Sequence, residues 1–530
     1  MSADPRVSRT ARGVRGVRTL LAAALVAPVA LSAQARSTKV GPPRGTVIVV
    51  GGGAMGPEIY NRFIEAAGGP DALIIDVPTA GGDSVYTQDA PGTRGWRQAG
   101  AKNLYVLHTK DRALADADSF AALVSKAGGV WFEGGRQFHL VNSYAGTKTE
   151  KAFHDVLARG GVVGGSSAGA SILGDFLVRG APSNNNFIMD YPGFEKGFAF
   201  LRGVGIDQHV VARERLPDLA DSIMPKHPEL LGMSEDEGTA WVVKGDTATI
   251  VGRNKAFVYG GKDATDPGSP FLTLHPGDTY NLATRHVIHR AGDGAPVTAA
   301  FVDGLLKKYN DASTGGATVL VAENGSVFVN KSYGIPAQPK YMPTTTLPQF
   351  DVGGITTVFQ SLCSQLPDPP ARGGAAAPAA AGGVTPAGRA AGRGGRGGRG
   401  PTGPPPTPLQ NCVTRRVSTP IGMHKTAGMA DGTVESSVDE LYRLALGLEN
   451  PRTYGGNGPN AVTVDYSKGW QADTYHGVAR LSAYGDAGGK RSAFVRIPDK
   501  HATIIILTKD DGADAKSIAD RISDRLIAAK

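Results

Sequence analysis

Residues Gly164-Gly165-Ser166-Ser167-Ala168-Gly169-Ala170 set a serine among the smallest side chains, after the apolar run Gly161-Val162-Val163 and before the helix-like Ser171-Ile172-Leu173. This strand–turn–helix pattern is that of a nucleophile elbow: the sharp turn lifts one side chain clear of the backbone, and only Gly and Ala leave room around it. Ser167 is the candidate nucleophile. A lone hydroxyl attacks poorly and needs a base that a third group orients. Among eleven histidines, His209 in Gly205-Ile206-Asp207-Gln208-His209 follows a strand-like segment and is assigned as general base, then acid. The orienting carboxylate is sought in Ser234-Glu235-Asp236-Glu237-Gly238, just before the strand Ala240 to Val243; Glu237 is assigned, with Glu235 and Asp236 as competitors. Acyl transfer also needs backbone N–H groups aimed at the developing oxyanion. Ala168 supplies one, and Gly135 in Phe132-Glu133-Gly134-Gly135-Arg136-Gln137 is expected to supply the other.

A second pattern competes. Gly51-x-Gly53-x-x-Gly56 follows a strand and precedes a helix, with Asp76 about 20 residues on, which meets the dinucleotide fingerprint. A nicotinamide-dependent oxidoreductase is therefore one alternative. An exported chain has little use for a diffusible nicotinamide, however, and the serine elbow sits elsewhere on the same sheet. The glycines then read as a turn near the active site. No H-E-x-x-H, clustered Cys or EF-hand pattern occurs, and His286 and His289, three apart, are too common a spacing for a metal site. No cofactor and no metal are expected.

The elements that must carry these residues alternate strand and helix from Gly45 onward. Strands are expected at Thr46 to Val50, Ala72 to Val77, Asn103 to Leu107 and Gly128 to Phe132, with helices at Glu58 to Ala67 and about Phe138 to Arg159. Continuous apolar strands separated by helices predict an α/β fold with a mainly parallel sheet covered on both faces. In such a sheet active groups collect at strand ends, so Ser167, His209 and Glu237 can converge. Short β runs at Ala240 to Val243, Thr247 to Val251, Ala256 to Tyr259 and Phe271 to Leu274 complete the first domain, placed at 36–298. A second, α+β domain is expected at 299–530. It opens with the hairpin Thr318 to Glu323 and Ser326 to Asn330 on an Asn324-Gly325 turn. It continues with a helix at Ser437 to Leu448, strands at Ser492 to Ile497 and Ala502 to Thr508, and a terminal helix, Ala515 to Ala529.

Two segments stand apart from the folded parts. Residues 1–35 have five arginines, an apolar stretch from Thr19 to Ser32 and Ala33-Gln34-Ala35, the pattern of a signal peptide cleaved after Ala35. The chain is therefore expected to be periplasmic or secreted, with no stable membrane anchor after cleavage. Residues 364–411 are rich in Pro, Gly and Ala and are expected to be disordered. Each segment carries five Arg and one Asp, so together they account for the net charge of +8. The remainder is near neutral, which argues against a nucleic-acid partner. The two cysteines, Cys363 and Cys412, flank the insert and are expected to form a disulfide, a loop closure of roughly 4 kcal/mol in the chain-entropy model.

The ordered set strand–GGG, F-x-G-G-x-Q, G-x-S-A-G-A, D-x-H-x-x-x-R-x-R and D-E-G-T-A resembles the cyanophycinase and α-aspartyl dipeptidase family of serine peptidases, over roughly Val47 to Ala291. The resemblance implies a class I glutamine-amidotransferase-like α/β fold and a Ser-His-Glu triad on Ser167, His209 and Glu237. It implies a substrate site lined by Gln137, Asp207, Gln208, Arg213 and Arg215. The implied reaction is hydrolysis of a peptide bond beside aspartate; for cyanophycinases the substrate is a poly-aspartate carrying arginine on its side chains. Two positions depart from that family: Asp218 stands where a third arginine is expected, and Arg136 where an aspartate is. The C-terminal part is similar to β-lactamase-related serine hydrolases. Their S-x-x-K would fall on Gly354-Ile355-Thr356-Thr357 and their K/H-x-G on Tyr484-Gly485-Asp486, so this domain is expected to be catalytically inactive. The expected partner is a peptide or poly-aspartate substrate, with a homodimer left open. A non-catalytic binder of acidic peptides is the other alternative.

Overall fold

The computed structural model describes residues 39–529 except 184, 312–315, 336–348, 368–404, 451–463, 466, 486–490 and 511–513. Residues 1–38, where a signal peptide is expected, most of the low-complexity insert and Asp486 lie outside the described residues.

The first strand, Thr46–Val50, is β-branched throughout and wholly buried, as a strand covered on both faces must be. It runs at the middle of a nine-stranded sheet. On one side Val162–Ser166, Gly129–Phe132, Leu73–Val77 and Asn103–Val106 follow in spatial order, all parallel. On the other side lie Thr239–Lys244, Thr247–Gly252, Thr279–Asn281 and His286–His289, all antiparallel. The sheet is thus mixed, not mainly parallel. The reason is local: Gly245-Asp246 joins Thr239–Lys244 to Thr247–Gly252 in two residues, enough for a hairpin and far too few for a parallel crossover.

A second sheet of five strands, which the sequence pattern did not suggest, has the order Phe271–Leu274, Ala256–Tyr259, Leu231–Glu235, Leu201–Gln208, Gly174–Phe176. The runs Ala256–Tyr259 and Phe271–Leu274 therefore leave the first sheet for the second. Leu201–Gln208 and Leu231–Glu235 pair in parallel, so their C-terminal ends lie side by side. The helix expected as one piece over 138–159 is two, Gln137–Tyr144 and Lys148–Ala158. Thr147 starts the second, its hydroxyl accepting from the Glu150 N–H at 3.4 Å, in a Thr-x-x-Glu sequence that favours a new N-terminus.

The C-terminal part is built on a six-stranded antiparallel sheet ordered Ser326–Tyr333, Ala317–Glu323, Ala502–Thr508, Ser492–Ile497, Val478–Gly485, Gln471–Tyr475. Asn324 and Gly325 turn its first hairpin with φ of 50° and 74°, the paired positive angles of a type I′ turn. Alternation along Ala502–Thr508 serves two layers: Ile504 and Ile506 pack with Ile518 and Ile522 of the helix Ala515–Ala528, whereas Ile505 and Leu507 pack with Leu441 and Leu444 of the helix Val438–Glu449. Cys363 and Cys412 are disulfide-bonded, joining the helices on either side of the insert. At the position where the β-lactamase resemblance puts a nucleophile, a side chain on Gly354 would strike the carbonyl oxygen of Tyr484 at 2.2 Å, so backbone fills that place. The apolar clusters built from residues up to Val287 and those from Val297 onward are separate, although Ala35–Lys530 form one compact unit.

Candidate active site

Ser167 directly follows the strand Val162–Ser166 and precedes the short helix Ala168–Ser171. Its backbone has φ 59° and ψ −117°, a strained conformation for a residue with a Cβ. Two features hold the strain in place. The Ser167 N–H donates to the carbonyl of Val50 at 3.0 Å, and Gly169 packs so closely that a Cβ there would lie 2.0 Å from the carbonyl oxygen of Phe132. The small residues of the elbow are thus what lets it fold.

His209 follows the end of Leu201–Gln208, and Glu237 sits in the turn between Leu231–Glu235 and Thr239–Lys244. The Ser167 hydroxyl lies 2.8 Å from His209 Nε2, and His209 Nδ1 lies 2.5 Å from Glu237 Oε1. The proton pattern this geometry supports is Ser167 O–H donating to Nε2 and Nδ1–H donating to the carboxylate. Both partners hang on the glycine loop after the first strand: the His209 N–H donates to the Gly51 carbonyl at 3.0 Å, and the Gly238 N–H to that of Gly52 at 2.9 Å. A Cβ on Gly52 would stand 2.1 Å from His209 Cε1. The glycines that match the dinucleotide fingerprint are therefore the seat of the imidazole. Asp76, the acid a ribose would need, is fully buried against Glu133, and burial raises both carboxyls above their ordinary range.

Burial opposes the Glu237 charge, but hydrogen bonds from His209 and then His424 outweigh it and hold the carboxyl well below the usual range. Burial pushes the His209 imidazole below its ordinary value of 6.5, with the Glu237 hydrogen bond resisting. The base is consequently neutral, and able to accept a proton, at and somewhat below neutral pH. The competing acids have other partners. Glu235 is fully buried, accepts from Trp241 Nε1 at 3.0 Å, and is driven well above its ordinary range by burial. Asp236 accepts from the N–H groups of Val211 and Ala212 at 3.1 and 2.9 Å, from Asn254 and from Arg443.

The residues expected to line the substrate site fall into two groups. Gln137 is buried at the start of its helix, two residues beyond Gly135, and Arg213 is exposed beside the triad, its N–H donating to the His209 carbonyl at 2.9 Å. Gln208 and Arg215 are buried and bonded to each other at 3.3 Å, while Gln208 also donates to Ser171 at 3.1 Å. Burial and then the neighbouring Arg179 charge bring the Arg215 guanidinium down to about 10. Asp207 is a correction: it is fully buried, and both its oxygens accept from Arg179 at 2.7 Å, so its carboxylate holds Arg179 and does not face a ligand. Asp218 binds the same guanidinium at 2.5 Å, which accounts for an acid at that position.

Arg179 was missed because one arginine in the segment Leu177-Val178-Arg179 carries no motif. Its removal as Arg179→Leu leaves Asp207 buried without its charge partner, holding only the Gln208 N–H at 3.0 Å, and is expected to cost about 3–5 kcal/mol. Urea unfolding checks this; a midpoint matching wild type would refute it. Among the described residues no group of His, Cys, Asp and Glu is arranged to hold a metal ion, and no helix is long and apolar enough to cross a membrane.

Known proteins resemble this part of the chain. The model of peptidase family S51 matches residues 47–251. The cyanophycinase of Geminocystis herdmanii is 31% identical over 260 residues, covering 46% of this chain and 95% of the relative. That of Synechococcus elongatus is 30% identical over 269 residues, covering 47% and 82%. A solved peptidase from an acI-B1 actinobacterium is 23% identical, with a TM-score of 0.36, covering 47% of this chain and 98% of that one. A relative matched over nearly its whole length at this identity, together with the family model, settles the lineage: the chain belongs to peptidase family S51 and is a serine-type peptidase.

Proposed function

We propose that this peptidase cleaves peptide bonds beside aspartyl residues by an acyl-enzyme route on Ser167, with cyanophycin, for which its relatives are named, as the leading substrate. The observation that carries the reading is the continuous Ser167–His209–Glu237 hydrogen-bonded chain at 2.8 and 2.5 Å. Ser167 Oγ attacks the carbonyl carbon as its proton passes to His209 Nε2. The same proton goes to the leaving amine as the C–N bond breaks, and a water deprotonated by His209 then hydrolyses the ester. Glu237 keeps the imidazole in its working tautomer and offsets the imidazolium charge. The N–H groups of Gly135 and Ala168 form the oxyanion hole. Neither has an acceptor among the described residues.

The surroundings suit an acidic substrate. Arg179 lies close enough to Arg136, Arg213 and Arg215 for its charge to lower the ionisation of each. Asp207 and Asp218 offset only Arg179 directly, and Arg136 Nε and Nη1 are buried without a hydrogen-bond partner. A substrate carboxylate would relieve that unmet donor capacity. Export through the N-terminal leader and a non-catalytic C-terminal part complete the proposal. The test pairs fluorophosphonate labelling with cleavage of cyanophycin, Asp-X and isoaspartyl dipeptides. Labelling at Ser167 and hydrolysis of at least one of these is expected; a chain that labels but cleaves none of them would sink the aspartyl specificity.

A further inference from the structure

Glu237 has two carboxylate oxygens, and His209 uses one. The other, Oε2, lies 2.6 Å from Nε2 of His424, a residue 187 positions further along and part of the C-terminal half. The geometry points to His424 as a positioning residue of the peptidase site, supplied by the C-terminal part, which fixes the Glu237 carboxylate through its second oxygen. The inference rests on the assignment of Glu237 as the group that orients His209.

The terminal torsion of a glutamate is broad and roughly two-fold, so a carboxylate held by one hydrogen bond can turn. Two imidazole N–H donors, one on each oxygen, remove that freedom and hold Oε1 toward His209 Nδ1. The contact is built rather than casual, because the chain on both sides of His424 is anchored. Gly422 gives its carbonyl to Arg443 Nη1 at 2.7 Å, and the Met423 N–H donates to Ser418 at 3.0 Å while its side chain is buried in the C-terminal core. On the other side the N–H groups of Lys425 and Thr426 both donate to Glu440 Oε2, at 3.1 and 3.2 Å. The imidazole between these anchors reaches across to the Glu237 carboxylate.

The anchors themselves are tied to the peptidase half. Arg443, 2% exposed, donates through Nη2 to Asp236 Oδ2 at 3.1 Å and to the backbone carbonyl of Glu237 at 2.9 Å. One guanidinium thus holds both the triad turn and the His424 segment. Asp439, four residues earlier on the same helix, meets Lys255 at 2.7 Å, and this pair is buried too. Asp439, Glu440 and Arg443 form a charged helix face that is buried, not solvated: Glu440 and Arg443 hold the backbone on either side of His424, Arg443 also holds the Glu237 turn, and Asp439 is shared by Lys255 and Asn330. Buried, mutually satisfied charges of this kind specify one geometry more than they add stability.

A consequence separates positioning from scaffolding. His424 is faced by Glu237, Glu440 and Arg443, and His209 by Glu237, Arg213 and Asp236. Removing His424 leaves the whole Glu237 charge to His209, which then holds its proton more tightly. The measurement is the second-order rate of fluorophosphonate labelling of Ser167 in the full chain, across pH, for wild type, His424→Ala and His424→Gln. Glutamine keeps an N–H donor close to the place of Nε2. The alanine variant is expected to label roughly tenfold more slowly on the plateau, the loss of one hydrogen bond to a charged group. Its acid limb is expected to move to higher pH, and glutamine to restore most of the plateau rate. An alanine variant that matches wild type in rate and acid limb overturns the inference. So does an equal loss in both variants with the limb unmoved, which would mark a scaffolding role. Failure of the peptidase reading looks different: an unlabelled wild-type chain, which would overturn both.

Discussion

Ser167→Ala is expected to lower kcat/KM by about 10⁴- to 10⁶-fold on whichever aspartyl substrate the wild type cleaves, and to abolish fluorophosphonate labelling. The substitution isolates the hydroxyl. The strained turn at residue 167 is held by the bond from its N–H to Val50 and by the close packing of Gly169, neither of which involves Oγ. Alanine keeps the Cβ and so meets the same backbone energy. His209 keeps Glu237, and the N–H groups of Gly135 and Ala168 stay where they are, so a small residual rate from binding and oxyanion stabilisation persists. Thermal unfolding should match wild type. An alanine variant retaining more than about a hundredth of wild-type turnover would show that another group attacks, since a positioned nucleophile and base contribute more than that.

Glu237→Gln is expected to reduce kcat by about 10³- to 10⁴-fold with little change in KM. Two N–H donors converge on this side chain, His209 Nδ1 at 2.5 Å and His424 Nε2 at 2.6 Å. A carboxylate can accept both, whereas a glutamine amide offers one oxygen and one NH₂. Whichever way the amide turns, one imidazole faces a donor. If that is His209, its tautomer flips and Nε2 can no longer accept the serine proton. If it is His424, the imidazolium of His209 still loses its charge partner. The pH dependence follows from the depressed Glu237 carboxyl. Its charge contributes fully to stability above the ordinary value of 4.5 and is lost only as pH falls well below that. The kinetic defect of the glutamine variant should therefore be constant on the neutral plateau, its acid limb should move to lower pH because His209 loses the Glu237 charge, and its acid unfolding should lack that one titration. Initial rates with pH-dependent unfolding test these; a defect absent on that plateau would contradict the assignment of Glu237.

Much of the site was legible because its parts are local. The elbow announces itself in Gly164 to Ala170, since a turn this tight excludes every side chain but the smallest, and Gly51 to Gly53 announces a close approach without saying to what. The first five strands are legible for the same reason, each being a short apolar run with turn residues at its ends. The second sheet was not, because an apolar run such as Ala256–Tyr259 does not say which partner it will pair with. The family resemblance put Asp207 in the substrate site; its neighbour, Arg179, lies 28 residues away and is defined only by packing. His424, Arg443 and Lys255 were silent. A histidine in a loop, an arginine on an amphipathic helix and a lysine after a turn all look like ordinary surface residues until two halves of the chain meet at them.

The amino-acid order alone determined the chemistry available to this protein: a serine that can be lifted out of its backbone, a histidine and a carboxylate in strand-end turns, cysteines placed to close an insert, and a near-neutral remainder once residues 1–35 and 364–411 are set aside. Only the tertiary structure decided which acid turns toward the imidazole, which arginines are spent on internal carboxylates, and that the C-terminal half puts a histidine on the far side of Glu237. The physical reason is range. Turn sterics and strand burial act over a few residues and leave a mark in the sequence, whereas the partner of a buried charge is settled by the fold that removes it from water, and here stands 187 or 207 positions away.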